Sequence, residues 1–272
     1  MKSTKDRDNR NNRGPIAQKG VVVFLDALGT KTVWSRSEPS EYIKAWESVI
    51  GSIRKNAKKY DKVTKNDAEL PKLNIIAFSD TIILSLSHNL DKLKEDPSLF
   101  HLNLSNLFIG TILGYPLYKA IIEEGIYLRG VISSGEFYVK KSMIIGPAVE
   151  EAAEWYEKPE WFGVSTTPSA TYAIEFLREN GGLSDEYINE FFISYPVPMK
   201  NGSTLESYAV LWPKEFPSFE AAMSEDREKL FKDSRINLLE SFSSSGLIGV
   251  SSELKYKNTL DFFDYVAKTL SK

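Results

Sequence analysis

Short, dense apolar runs alternate along the chain with polar stretches, and the runs follow two periods. Residues 21–26 (VVVFLD) are continuous, β-branched and apolar up to their last position, the pattern of a buried strand. From Glu38 the spacing of Tyr42, Ile43, Trp46, Val49, Ile50 and Ile53 becomes helical and predicts an amphipathic helix over 38–60. Either Ser40 or the Glu38-Pro39 step is its start signal. After a polar loop at 61–71, the runs 73–78 and 81–86 flank Phe78-Ser79-Asp80 and predict a hairpin with Asp80 at its turn. A helical region over 97–123 follows, bent or broken at Gly114-Tyr115-Pro116. Strands are expected at 127–133, 136–139 and 142–145, with a turn at Ser133-Ser134-Gly135 and another at Lys140-Lys141. Gly146-Pro147 then opens a helix through Trp155.

The second half is less periodic. PSATYAIEFLREN reads as a helix ended by Gly181-Gly182, and 191–195 and 207–211 read as strands joined through PVPMKNGSTLE. Helical patterns cover 218–242 and 255–270. The order strand, helix, strand, strand, helix, strand, strand, helix predicts an α/β (α+β) fold. Its sheet is mainly antiparallel, of ferredoxin-like or palm type, with helices on one face. Residues 1–19 read as a flexible polar arm, and 20–272 as one domain with a core at 20–178 and a C-terminal elaboration at 179–272.

Bulk composition narrows the class only a little. The 272 residues are 42% apolar and 12% aromatic, with net charge −3. That balance carries no footprint of a nucleic-acid partner, although the first twenty residues hold six basic and two acidic side chains. The absence of cysteine excludes disulfides and thiolate metal sites and fits a reducing, cytoplasmic setting. No apolar stretch is long enough for a spanning helix, and the start lacks the apolar segment of a secretory signal, so no membrane partner is expected.

Candidate chemistry lies in two interrupted runs. Asp26 closes VVVFLD, and Asp80 divides NIIAFSDTIIL (74–84). A carboxylate among apolar residues is costly unless paired or bound to a cation. If the strands are neighbours, the two carboxylates meet at the sheet rim, where Mg²⁺ or Mn²⁺ would relieve their repulsion. The Ala27 carbonyl is a third candidate metal ligand. The Ala27-Leu28-Gly29-Thr30 turn would aim amides at a phosphate, with Lys31 just beyond it. Taken singly, each aspartate reads first as a turn residue, and Lys31 as a solvated one. Neither His88 nor His101 has a partner at metal-ligand spacing, and no Ser-His-Asp arrangement is present. Trp155, Tyr156, Trp161 and Phe162 form either an aromatic floor for a base or ordinary packing.

In order along the chain, FLDALG, AFSDTIIL, LRGVISSGEFY (128–138) and IIGPAVEEAAEWYE (144–157) resemble the class III nucleotidyl cyclase fold. Ser79 stands where that fold usually has glycine. The set, with PVPMKNG and KYKNTLDF in the C-terminal half, resembles the pyrimidine cyclases of bacterial Pycsar anti-phage systems and their uncharacterised relatives. The resemblance spans about residues 20–265. It implies conversion of a nucleoside triphosphate, UTP or CTP, to a 3′,5′-cyclic monophosphate that acts on a separate effector. It also implies two Mg²⁺ or Mn²⁺ ions on Asp26 and Asp80, and a homodimer with the site at its interface. Ile76 stands where purine cyclases carry a base-reading lysine and Met143 where they carry an aspartate, so both, with Phe78, fall in the substrate-contacting set. Glu150 and Glu154 replace the family's asparagine and arginine. Arg129 is then the first candidate for a phosphate-facing cation, or else the partner of Glu150 or Glu154. A non-catalytic nucleotide-sensing module of the same fold, or another palm-type nucleotidyltransferase, is the alternative.

Overall fold

The computed structural model describes residues 16–28, 38–63, 72–89, 99–140, 143–180, 184–216, 227–244 and 250–270. Strand β1 (Ile16–Leu28) is central. Helix α1 (Pro39–Val63) leads to the hairpin β2 (Lys72–Phe78) and β3 (Thr81–Asn89). Helix α2 (Leu99–Tyr118) runs on as a π-helical turn at Lys119–Glu123. Then come β4 (Tyr127–Lys140), β5 (Met143–Ile145), α3 (Pro147–Trp155) and β6 (Gly163–Thr166). Helices α4 (Pro168–Glu179) and α5 (Asp185–Ile188) precede the hairpin β7 (Phe192–Pro198) and β8 (Thr204–Val210). A 3₁₀ turn (Trp212–Glu215) and the helices α6 (Arg227–Ser244) and α7 (Val250–Leu270) follow.

The sheet order is β2-β3-β1-β4-β6-β8-β7, with β5 beside β4, and every pairing is antiparallel except β4 with β6. The unit β1-α1-β2-β3-α2-β4, with β1 between β3 and β4, is the split βαβ arrangement of ferredoxin-like folds. The mainly antiparallel α+β expectation therefore holds. The single-faced layering does not. Val21, Val23, Leu25 and Ala27 of β1 pack with Ile82, Leu84 and Leu86 under α1 and α2. Val22, on the opposite face, packs with Val131, Phe137 and Ala148 and Ala152 of α3. The pleat of β1 divides its side chains between two helical layers.

Several boundaries move for physical reasons. The strand expected from Val21 begins at Ile16, because β4 is long enough to pair with it as far as Ile16↔Val139. Residues 16–19 thus belong to the sheet, and the polar-arm expectation is left with residues outside the described ones. Helix α1 starts on Pro39, whose missing N–H is no loss in a first turn. Ser133-Ser134-Gly135 is no turn but mid-β4, where the Ser133 hydroxyl donates to the Ala148 carbonyl at 2.6 Å. Helix α2 continues through Pro116. That proline cannot donate to Ile112, and the Asn56 side-chain amide of α1 reaches the Ile112 carbonyl at 3.4 Å instead. Pro196 and Pro198 lie within β7, the edge strand, where a missing donor costs nothing. Strand β6 carries only four residues, too few for periodicity to show.

Candidate functional site

Asp26 follows Val22 and Phe24 on the α3 face of β1 and stands at the end of the apolar part of that face. Its register partners are Thr81 of β3 and Arg129 of β4. Asp80 is the residue just before Thr81, in the two-residue β2–β3 turn. The Ala27 N–H donates to the Asp80 carbonyl at 2.9 Å and ties that turn to β1. The two aspartates, fifty-four positions apart in sequence, are thereby neighbours at the rim of the sheet. Ser79, the first turn residue, has φ 56° and is the only described non-glycine residue with positive φ. One such residue at the first central position is the pattern of a II′ hairpin turn, which favours glycine there.

Arg129 is 3% exposed. Its Nη2 donates to Asp26 Oδ2 at 3.1 Å, and its Nη1 to the carbonyls of Glu157 at 3.2 Å and Pro159 at 3.5 Å. Sequence reasoning offered Glu150 or Glu154 as its partner, and the structure corrects this: the partner is Asp26. Both glutamates sit on the outer side of α3, where Glu154 pairs with Lys158 at 2.7 Å. Gly130 lets β4 run close to β1, since a Cβ there would fall 2.3 Å from the Phe24 carbonyl oxygen. Gly146, at φ 129°, does the same for the start of α3: its Cβ would fall 2.9 Å from the Phe137 Cα.

Burial pushes the Asp26 carboxyl above its ordinary 3.8; Arg129 opposes this, and the charges of Asp80 and Glu157 add to it. The Tyr42 phenol of α1 is also held up, by burial and by Asp80, so the first turns of α1 lie within electrostatic reach of the rim. Tyr156 donates to Glu157 Oε1 at 3.0 Å and sets its ring 5.7 Å from Phe24.

Among the described residues no three His, Cys, Asp or Glu side chains converge on one point. The donor chemistry at the rim still fits a hard divalent ion. Among the described residues, the half-buried Asp26 carboxylate has Arg129 beside it and the charges of Asp80 and Glu157 acting against it, a repulsion that an oxygen-loving cation would relieve. Asp26 and Asp80 are the residues that would hold it.

The remaining expected residues scatter. Ala27 and Leu28 are not a turn: β1 runs through them, pairing with Leu128 and Tyr127. The Ala27 amide is spent on Asp80 and is not aimed at a phosphate. Gly29, Thr30 and Lys31 lie outside the described residues. Ile76 is half-buried in β2, and Phe78 at the end of that strand is 80% exposed. Met143 pairs with Lys140, eleven residues along β4 from Arg129, hence up to roughly 37 Å from Asp26 at strand rise. One chain therefore does not bring Met143 to the carboxylate pair. Trp161 and Phe162 are core residues, not an open floor. Trp161 packs between Tyr195 and Phe262, and Phe162 against Tyr127, Phe242 and Tyr256. Sequence reasoning missed Glu157 and its neighbours as acceptors for Arg129, because nothing local marks a main-chain carbonyl as a partner.

No protein-family model and no curated protein matches the chain. Among solved structures, it is similar to the catalytic core of a rhodopsin-guanylyl cyclase with converted specificity, in complex with ATPαS. The TM-score is 0.47 and the identity 12%, over 72% of this chain and 98% of that one. It is similar to the adenylyl cyclase CyaB from P. aeruginosa, at TM-score 0.47 and 12% identity over 73% and 96%. It is also similar to the guanylate cyclase domain of RhGC from Catenaria anguillulae in complex with GTP, at 0.44 and 12% over 73% and 98%. The fold described above rests on its own strand order and register. No helix among the described residues is long and apolar enough to cross a membrane.

Proposed function

We propose that this chain is a divalent-metal-dependent nucleotide cyclase acting on UTP or CTP. The observation that carries the reading is the Ala27–Asp80 hydrogen bond, which makes neighbours of two carboxylates that each interrupt an apolar run. The sequence motifs supply the reaction class. In that reaction the ribose 3′-oxygen bonds to the α-phosphorus, and the bond from that phosphorus to the oxygen bridging the β-phosphate breaks. Pyrophosphate leaves, and the hydroxyl proton passes to solvent. Divalent ions, when bound, lower the pKa of the attacking hydroxyl and neutralise charge on the triphosphate. Asp26 and Asp80 would hold them, with the Ala27 carbonyl as a third ligand. Arg129 favours the ionised form of Asp26 against its burial and holds the carboxylate in place. Ile76 and Met143, in place of a lysine and an aspartate, offer no hydrogen bonds that would read a purine. Met143 is too far along β4 to serve its own chain's carboxylates, which supports a head-to-tail homodimer with each site shared. Phe78, Leu28 and the 29–31 segment complete the nucleotide-contacting set. In this reading the product signals to a separate effector in anti-phage defence, in the cytoplasm.

A second reading has its own support. Glu150 and Glu154 put negative charge where a cyclase of this kind needs a cation, and Arg129 is committed to Asp26. A non-catalytic nucleotide sensor accounts for both. Incubation with each of four labelled triphosphates and Mn²⁺ separates the two. A cyclic monophosphate that disappears in Asp26→Ala and Asp80→Ala is the expected result. Saturable binding without turnover selects the sensor, and neither binding nor turnover rejects both.

A further inference from the structure

The two C-terminal motifs, PVPMKNG and KYKNTLDF, lie far from the carboxylate pair in sequence, yet both close on one segment, residues 157–162. The Glu160 N–H donates to the Pro198 carbonyl at 2.8 Å, and the Lys200 N–H to the Lys158 carbonyl at 2.9 Å. Pro159 bridges to Met199. From α7, the Asn258 amide donates to the Glu160 carbonyl at 2.6 Å, and the Thr259 hydroxyl accepts from the Phe162 N–H at 2.8 Å. Lys255 pairs with the Glu160 carboxylate at 2.8 Å, with side chains 13% and 14% exposed. Two further carbonyls of this segment, those of Glu157 and Pro159, accept from Arg129.

We propose that α7 is a latch for the site: Asn258, Lys255 and Thr259 fix residues 157–162, which hold the Arg129 guanidinium against Asp26. They are positioning residues, acting through Glu160 and Phe162. The proposal rests on the reading of Asp26 as a metal ligand only for its functional consequence; the latch itself stands on the bonds above. A guanidinium with three fixed acceptors rotates slowly, whereas one that has lost two of them does not. Outer-shell partners of metal ligands typically matter 10–100-fold in affinity, and one step further out a roughly three- to ten-fold effect is expected.

The test uses the full chain labelled with ¹⁵N-arginine, with Arg129→Lys assigning its signals. Asn258→Ala is compared with Tyr265→Phe, an α7 change that loses only a bond to the Ser194 carbonyl. In the parent protein and Tyr265→Phe the Arg129 Nη signals are resolved and slow to exchange. In Asn258→Ala they broaden or vanish, and Mn²⁺ affinity, read by EPR with the metal alone, falls three- to ten-fold. If Asn258→Ala does not fold, Glu160→Gln, which removes the ion pair but keeps every main-chain acceptor, takes its place. Unchanged Arg129 signals overturn the latch, and mobile ones with unchanged Mn²⁺ affinity overturn its effect on the metal. A parent protein that binds no Mn²⁺ overturns the metal reading, while the Arg129 signals still decide the latch.

Discussion

Burial, Asp80 and Glu157 all raise the Asp26 carboxyl, Arg129 lowers it, and the balance lies above 3.8. The sign for stability follows from proton uptake. A carboxyl that binds its proton more tightly when folded contributes most below its unfolded value. That contribution is lost as pH rises through the folded one. Arg129→Met removes the single lowering influence, so the loss grows and extends to higher pH. Arg129 and Asp26 have side chains 4% and 17% exposed, and because Asp26 keeps some solvent, stripping one partner from the pair costs about 2–3 kcal/mol, just below the range for fully buried pairs. Urea unfolding is expected to show Arg129→Met close to the parent near pH 4 and about 2–3 kcal/mol weaker at pH 7–8. A pH-independent difference would mean that lost packing, not Asp26, explains the change. At this scale the sequence was half legible. Two carboxylates inside apolar runs announce an unusual cost, and the structure brings them together. The partner of Arg129 was hidden, because a register that sets residue 26 opposite residue 129 is a property of the whole sheet.

The β2–β3 hairpin is the element that delivers Asp80, and it carries a local fault. Ser79 adopts φ 56°, a region that costs an L-residue about 1–2 kcal/mol. Glycine avoids that cost but has more unfolded-chain entropy to lose, about 0.5–1 kcal/mol. Ser79→Gly is therefore expected to raise unfolding free energy by about 0.5–1 kcal/mol in urea, with Mn²⁺ affinity unchanged. Destabilisation would show that the serine hydroxyl holds something in place. Hairpin and turn could be read from alternation and the Ser-Asp step, and so could the starts of α1 and α3, where proline marks the first turn. Strand β4 could not. Its Ser-Ser-Gly centre looks like a turn and stays extended only because β1 pairs with it along thirteen positions, and because α3 and β1 both accept bonds from Ser133.

For the whole molecule, the question is whether the C-terminal helices are an appendage or part of the core. The aromatic contacts decide it. Phe262 is fully buried, with ring centroids 4.7 Å from Trp161, 4.8 Å from Tyr195 and 6.4 Å from Trp212. It joins α7 to the β7–β8 hairpin and to the segment before β6. Removing such a ring leaves a cavity that the surrounding sheet and helix cannot close, a loss of about 3–5 kcal/mol. Phe262→Ala is therefore expected to shift the urea transition by that amount in a single step, with Trp161 and Trp212 fluorescence changing together with far-UV ellipticity. Two separated transitions, with the far-UV signal surviving the first, would make α6 and α7 an independent layer. Lys255 holds the Glu160 carboxylate, Asn258 the Glu160 carbonyl and Thr259 the Phe162 N–H, so in one cooperative unit the loss of α7 packing would reach Arg129 through the segment these residues hold.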